Sequence, residues 1–382
     1  MIPVLWLCGP AGVGKTEVGW RIYSQLAQKG IPAGFADIDQ LGMCYPEPAD
    51  DQGRHKIKAR NLGAILPNFR RQGARCMVVS GVTDPSAGVP GDYVSRATLT
   101  VCRLRADHDE LRRRFLRRSP DGAAADSVLR EADALDASGF ADVIIDTTGI
   151  TLADVVSQVL ALCGGWPALI DEEPEVCPSY PASEVPGADG PILFLCGPTG
   201  VGKSTAGFEV YLRDLRAGLT AAYIDLDQIG FCRPQRQDDP GSHLLKARNL
   251  AVIWQHYRAL GAERLVVVGP AENEKAAASY AAALPRASIT LCRLHAQAEV
   301  LTRRIMLRGA GGGSWPQPGD PLIGQPAAQL RHIAALATAS ADEMERGGPR
   351  AIRVGTDGLT VQETADLIDA RSGWHVRGSP ER

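Results

Sequence analysis

The amino-acid sequence predicts an α/β fold written twice: two tandem domains, each a parallel β-sheet flanked by helices, with a helical lid. Three observations carry this. The string Gly9-Pro10-Ala11-Gly12-Val13-Gly14-Lys15-Thr16 returns as Gly197-Pro198-Thr199-Gly200-Val201-Gly202-Lys203-Ser204. Lys203 minus Lys15 gives an offset of 188, and that offset holds unbroken to Gly81 and Gly269, which points to duplication of a domain rather than reuse of a short motif. Short apolar runs also alternate with amphipathic stretches along each half. Such alternation implies right-handed βαβ crossovers and a parallel sheet covered by helices on both faces.

In the first half the expected strands are 3–8, 34–38, 76–80, 98–104 and 142–146, with amphipathic segments such as 18–28 and 62–72 between them. Beyond Gly81 the match resumes at Arg96-Ala97 with Arg286-Ala287 and at Cys102-Arg103-Leu104 with Cys292-Arg293-Leu294, so the second copy has gained two residues. It then gains a Gly- and Pro-rich stretch at 309–325, read as a longer and more mobile lid segment. Both copies close alike: Asp146-Thr147-Thr148-Gly149 beside Gly355-Thr356-Asp357-Gly358, a helical pattern, then Gly165-Trp166 and Gly373-Trp374. The expected domains are therefore 1–166 and 190–374. Residues 167–189, with several prolines and Asp171, Glu172 and Glu173, read as a semi-extended linker, and 375–382 as a disordered tail.

With 382 residues the chain can bury two ordinary cores. A net charge of −3 and a pI near 6.2 argue against nucleic acid or an anionic membrane as the main partner. Nine cysteines without C-x-x-C spacing, several at equivalent places (Cys8 and Cys196, Cys44 and Cys232, Cys102 and Cys292), suggest small buried hydrophobes in a reducing, cytoplasmic compartment. No stretch approaches the roughly 20 apolar residues of a membrane span, and no secretory leader is visible.

Each glycine-rich string fits G-x-x-x-x-G-K-[ST] between an apolar run and a helix-like stretch, the context of a phosphate-binding loop. Gly9, Gly12 and Gly14, with Gly197, Gly200 and Gly202, would let backbone N–H groups converge on phosphate oxygens, aided by the following helix dipole. Lys15 and Lys203 would reach the β- and γ-phosphates, and Thr16 and Ser204 would set a hydroxyl on Mg²⁺. The second strand ends in Asp37-Ile38-Asp39 and Asp225-Leu226-Asp227. Alternate strand residues share a face, so each pair can offer one carboxylate to the metal and one to an attacking hydroxyl; one aspartate of a pair could instead cap a turn.

A longer matched stretch follows. In it His55, Lys58 and Asn61 lie three apart on an expected helix, with Arg60 to the side, mirrored by His243, Lys246, Asn249 and Arg248. That face could grip a substrate, or be an ordinary solvated face. The third strand ends at Ser80-Gly81 and Val268-Gly269, where the glycines permit close approach of a ligand or backbone. After the fourth strand, Leu111-x-x-Arg114-x-x-x-Arg118 parallels Leu301-x-x-Arg304-x-x-x-Arg308. Arginines four apart suit a lid that neutralises charge over a triphosphate.

Taken together, these motifs resemble the P-loop kinases of small molecules and nucleotides: shikimate and gluconate kinases in the D-x-D, adenylylsulfate kinases loosely in Lys58-Ala59-Arg60-Asn61, and phosphotransferases of the chloramphenicol type. The resemblance implies two tandem P-loop NTPase domains binding ATP and Mg²⁺. It implies Asp37 and Asp225 as metal-side carboxylates and Asp39 and Asp227 as bases. Arg60, Arg248, Gly81 and Gly269 would be at the substrate, and Arg114, Arg118, Arg304 and Arg308 in the lids. It further implies that the loops 147–149 and 356–358 hold adenine. The glycine run that shikimate kinases carry after strand three is missing, so the acceptor stays open. The expected activity is transfer of the γ-phosphate to a hydroxyl of a small molecule. The alternative is an ATP-binding regulatory or assembly module whose two domains pack as an internal dimer.

Overall fold

The computed structural model describes residues 1–118, 122–164, 166, 187–312, 320, 322–348 and 350–375, Arg118 without its side chain. The chain divides into two compact units. Unit 1 takes Met1–Gly42, Glu47–Ser183 and Gly230–Leu245; unit 2 takes Met43–Pro46, Glu184–Ile229 and Lys246–Arg382. Eleven α-helices lie among the described residues.

Unit 1 contains β1 (Ile2–Cys8), β2 (Ala33–Asp37), β4 (Cys76–Ser80), β5 (Ala97–Arg105), β6 (Val143–Asp146) and β9 (Phe231–Arg233), in the spatial order β6-β5-β1-β4-β2-β9. All neighbours are parallel except β2 and β9. β1 is buried along its whole length, as an apolar run at the centre of a sheet covered on both faces must be. The helix Lys15–Gln28 buries Val18, Ile22 and Leu26, one face at four-residue spacing, into a core with Leu5, Leu7, Phe35 and Val78. The helix His55–Arg71 starts where the Asp51 carboxylate accepts the Lys56 and Ile57 amides at 2.9 and 3.0 Å.

Unit 2 contains β3 (Cys44–Tyr45), β7 (Gly190–Cys196), β8 (Ala221–Asp225), β10 (Arg264–Val268), β11 (Ala287–His295) and β12 (Ile352–Gly355), in the order β12-β11-β7-β10-β8-β3. Only β3 runs antiparallel, against β8. The sheets are thus mixed and mostly parallel, where the sequence predicted wholly parallel ones. The difference is the short edge strands, whose two or three residues carry no readable period. Packing fixes them: in unit 1 Phe231 meets Trp20 and Phe35 at ring-centroid distances of 4.8 and 6.0 Å. In unit 2 Met43 and Tyr45 lie on the core, and the Tyr223 amide donates to the Met43 carbonyl at 2.9 Å. The contiguous spans 1–166 and 190–374 take no account of these segments.

Most of the expected linker (167–186), much of the second lid segment (313–319 and 321) and the tail from 376 lie outside the described residues. Two residues at the margins are placed. Asp189 accepts the Trp254 indole N–H on its carbonyl at 3.1 Å and pairs with Arg258 at 3.0 Å. His375, assigned from sequence to the tail, instead sits between the carboxylates of Asp214 and Asp369. The eight described cysteines are buried, and burial pushes the Cys8, Cys76, Cys196, Cys232 and Cys292 thiols up to about 12. Among the described residues no helix is long and apolar enough to cross a membrane.

Candidate active site

Each cradle is the turn between a central strand and the helix that follows it. A Cβ on Gly9 would stand 2.3 Å from the Leu104 carbonyl oxygen, and one on Gly197 2.6 Å from that of Leu294. The loop leaves its strand pressed against the neighbouring one, which only glycine permits. Gly12 and Gly200 share the left-handed region, and Gly14 and Gly202, both at φ 101°, open the helices Lys15–Gln28 and Lys203–Arg216. Amides at the helix start then face the concavity, an anion-binding arrangement. Lys15 Nζ donates to the Pro10 carbonyl at 2.9 Å, and Lys203 Nζ to those of Gly197 and Pro198 at 2.7 and 3.0 Å. Burial lowers the pKa of both ammonium groups, opposed chiefly by Asp39 at Lys15 and by Asp227 at Lys203.

The D-x-D turns stand beside the cradles. Thr16 Oγ1 donates to Asp37 Oδ2 and Ser204 Oγ to Asp225 Oδ2, each at 3.1 Å. The other oxygen of each first aspartate accepts the amide of the second, Asp39 or Asp227, at 3.0 Å. Burial, and behind it the Asp39 carboxylate, push Asp37 up to about 6. Gly81 and Gly269, expected at the substrate, are buried under these turns: a Cβ there would meet Ile38 at 2.1 Å or Leu226 at 2.6 Å. Their smallness serves the close approach of the D-x-D turn.

The second aspartates meet lysines from the next helix. Lys58 Nζ lies 2.8 Å from Asp39 Oδ1, and Lys246 Nζ 2.7 Å from Asp227 Oδ1. Asn61 and Asn249, one turn on, donate to the carbonyls of Leu41 and Ile229 at 2.6 and 2.7 Å, tying each helix to the D-x-D turn. Lys58 is 3% exposed and Asp39 46%, so the ammonium is spent on the carboxylate while the carboxylate keeps an open edge. Arg60 is exposed and Arg248 half-buried; the face that reaches the D-x-D carries Lys58 and Asn61 instead.

The lid arginines divide. Arg114 donates to the Val13 carbonyl at 3.3 Å and to Thr147 Oγ1 and O at 2.9 and 2.8 Å. Arg304 does the same to Val201 at 3.0 Å and to Thr356 at 2.9 and 2.8 Å. Each guanidinium staples the phosphate loop to the loop after the last strand. Arg308 pairs with the buried Asp320 carboxylate. Arg118 ends the helix His108–Arg118, and its side chain lies outside the described residues.

Several polar groups here were not singled out from sequence. Asp84 accepts Ser86 and Ala87 amides at 2.8 and 3.1 Å; Glu272 occupies the same offset in the second half, a recurrence that could have flagged the position. The buried Ser80 hydroxyl is without a partner and stands in register with Asp37.

No protein-family model matches the chain, and no curated protein matches it. Solved structures do. A gluconokinase from Sinorhizobium meliloti is 19% identical, over 48% of this chain and 91% of its own, with a TM-score of 0.31. The tunicamycin resistance protein of Deinococcus radiodurans is 20% identical, over 48% and 96%, with a TM-score of 0.32. A shikimate kinase from Bacteroides thetaiotaomicron is 17% identical, over 47% and 96%, with a TM-score of 0.31. Two of these three structures are small-molecule kinases.

Proposed function

We propose that the chain is an ATP- and Mg²⁺-dependent phosphotransferase with two duplicated nucleotide sites, passing the γ-phosphate to a hydroxyl of a small molecule. One observation carries this reading. In each unit the loop hydroxyl meets the first carboxylate of the D-x-D, and a buried ammonium meets the second. An anion cradle alone needs no second carboxylate; phosphoryl transfer to a hydroxyl does.

The donors Thr16 with Asp37 and Ser204 with Asp225 are all oxygen, which suits Mg²⁺, a cation that keeps waters and phosphate oxygens as its remaining ligands. Among the described residues no group of three or more His, Cys, Asp or Glu side chains makes a dedicated metal cage. Bound there, Mg²⁺ supplies neutralising charge on the phosphate oxygens. Lys15 and Lys203 exchange their loop carbonyls for β- and γ-phosphate oxygens. Asp39 and Asp227 accept the acceptor's hydroxyl proton, while Lys58 and Lys246 aim the carboxylates. As the acceptor oxygen bonds to phosphorus, the bond to the β,γ-bridging oxygen breaks and ADP leaves.

ADP release measured against a panel of hydroxylated metabolites tests this. At least one should stimulate release, and Asp39→Asn with Asp227→Asn should cut that stimulation by roughly 10²-fold or more. Tight ATP binding that no hydroxyl compound converts into turnover would favour the regulatory module instead.

A further inference from the structure

In unit 1 a cleft of about 410 Å³ has Pro85 and Ser86 on one wall and Ala134, Ala137, Ser138 and Phe140 on the other. The first wall follows β4, whose Ser80 is in register with Leu7 of β1 and Asp37 of β2. A turn fixes it: Asp84 bridges Gly88, and the Thr83 hydroxyl donates to the Gly88 carbonyl at 2.6 Å. The second wall is held by the last residue of the helix Ala125–Asp136, whose carboxylate pairs with Arg103 and lies 3.4 Å from Arg105 Nε. Arg103 is in register with Cys8, the residue before the phosphate loop. The walls also meet, since a Cβ on Gly88 would stand 2.8 Å from Phe140 Cγ. β4 and β5 flank β1, so both walls are anchored at the carboxyl edge on either side of the cradle, where ligands of such sheets bind. From Gly81, packed under the D-x-D turn, the chain to Pro85 spans at most about 14 Å.

The lining is small and apolar apart from two hydroxyls. Ser86 Oγ donates to Asp84 Oδ1 and Ser138 Oγ to the Leu135 carbonyl, both at 2.6 Å. With those protons spent, each oxygen offers lone pairs to O–H or N–H donors of a guest. Among the described residues no lysine, arginine or histidine lines the cleft, so a carboxylate or phosphate would lose water without gaining a counter-charge. Phe140, half-buried, offers ring surface to an apolar group. The volume lies in the range of roughly 300–1,000 Å³ of small-molecule sites. Unit 2 is built otherwise: beyond Gly269 the chain enters the helix Glu274–Ala283, the Asn273 side chain accepting the Ala276 amide at 2.9 Å.

We propose that this cleft seats the body of the phosphate acceptor of unit 1, and that this acceptor is an uncharged hydroxylated molecule bearing an aromatic or apolar group. The inference rests on the phosphotransferase reading and adds a substrate class to it.

The test follows ADP release by the full chain carrying Lys203→Ala, with ATP, Mg²⁺ and two sets of probes: neutral aryl glycosides such as phenyl β-glucoside, and sugar acids and sugar phosphates. The neutral set should stimulate release and the charged set should not. Ala134→Trp, at an exposed position where the indole fills the cleft, should raise KM for the neutral probe about tenfold, and Phe140→Ala by a similar factor. In both, kcat and the affinity for a non-hydrolysable ATP analogue should hold, the pattern of lost ground-state binding. Stimulation confined to the charged set, or a KM that neither variant moves, overturns the proposal and leaves the phosphotransferase reading standing. A chain that binds the analogue yet is stimulated by no probe of either set overturns that reading, and the proposal falls with it.

Discussion

Lys15 rests on one loop carbonyl, that of Pro10, and Lys203 on two, those of Gly197 and Pro198. Closer in, the units agree to within a tenth of an ångström: hydroxyl to first carboxylate at 3.1 Å in both, ammonium to second carboxylate at 2.8 and 2.7 Å. The shared contacts come from motif, strand end and capped helix, all local or one crossover apart. The differing contact lies inside the phosphate loop, where Lys203 reaches the Gly197 carbonyl as well as that of Pro198.

The sharpest way to break the comparison is to remove each lysine separately. Lys15→Ala and Lys203→Ala should each weaken nucleotide binding at their own site by roughly a hundredfold, the order of a lost charge-assisted hydrogen bond to phosphate, and lower the stoichiometry from two per chain to one. Equilibrium dialysis with labelled ATP reads both. If either variant keeps two nucleotides, its loop is not a site, and the equivalence of the cradles is only geometric.

A smaller contrast lies on the third strand of the motif. Ser80 is fully buried with an unpartnered hydroxyl, where unit 2 has Val268. A buried hydroxyl without a partner costs about 1–3 kcal/mol. Ser80→Ala should therefore raise the unit 1 melting temperature by ~2–4 °C, with nucleotide affinity unchanged in the presence of Mg²⁺. Weakened Mg²⁺-dependent binding in this variant would make the hydroxyl part of the site and a second difference between the cradles.

The sequence made the central parts legible because they are periodic or conformationally forced. Five strands of the first half were placed within a residue or two, and Gly14-Lys15-Thr16 falls at a strand-to-helix turn, but Asp39, expected to alternate with Asp37 along a strand, lies past the strand end in the 3-10 turn Ile38–Gly42, where the Asp37 carboxylate accepts its amide. Lys58 and Asn61 were visible as one helical face, but sequence gave no reason to prefer Lys58 over Arg60, since that depends on which way the helix turns toward the D-x-D. Arg114 and Arg304 looked like mobile lid cations, yet their partners are backbone carbonyls and Thr147 or Thr356, far along the chain.

The smallest expected effect concerns the end of unit 2. Asp214, with no exposed side-chain surface, receives Arg264 Nη1 at 3.1 Å and Trp374 Nε1 at 3.0 Å, and His375 Nε2 lies 3.0 Å from it. Asp369 stands 2.7 Å from the other ring nitrogen. The two carboxylates raise His375 from its ordinary 6.5 to about 9, against the opposing pull of burial. A folded-state pKa above the unfolded one means stability that is fully present below pH 6.5 and drains away as pH rises through about 9. His375→Gln should lower the unit 2 melting temperature by about 2–4 °C at pH 6 and by next to nothing above pH 9.5, so the two melting curves converge as pH rises. In unit 1 the residues that follow Trp166 lie outside the described part of the chain, and its transition should not follow His375→Gln at any pH. A constant gap between variant and wild type from pH 6 to 9.5 would mean that His375 packs there as a neutral ring, with Arg264 and the Trp374 indole N–H answering the buried Asp214.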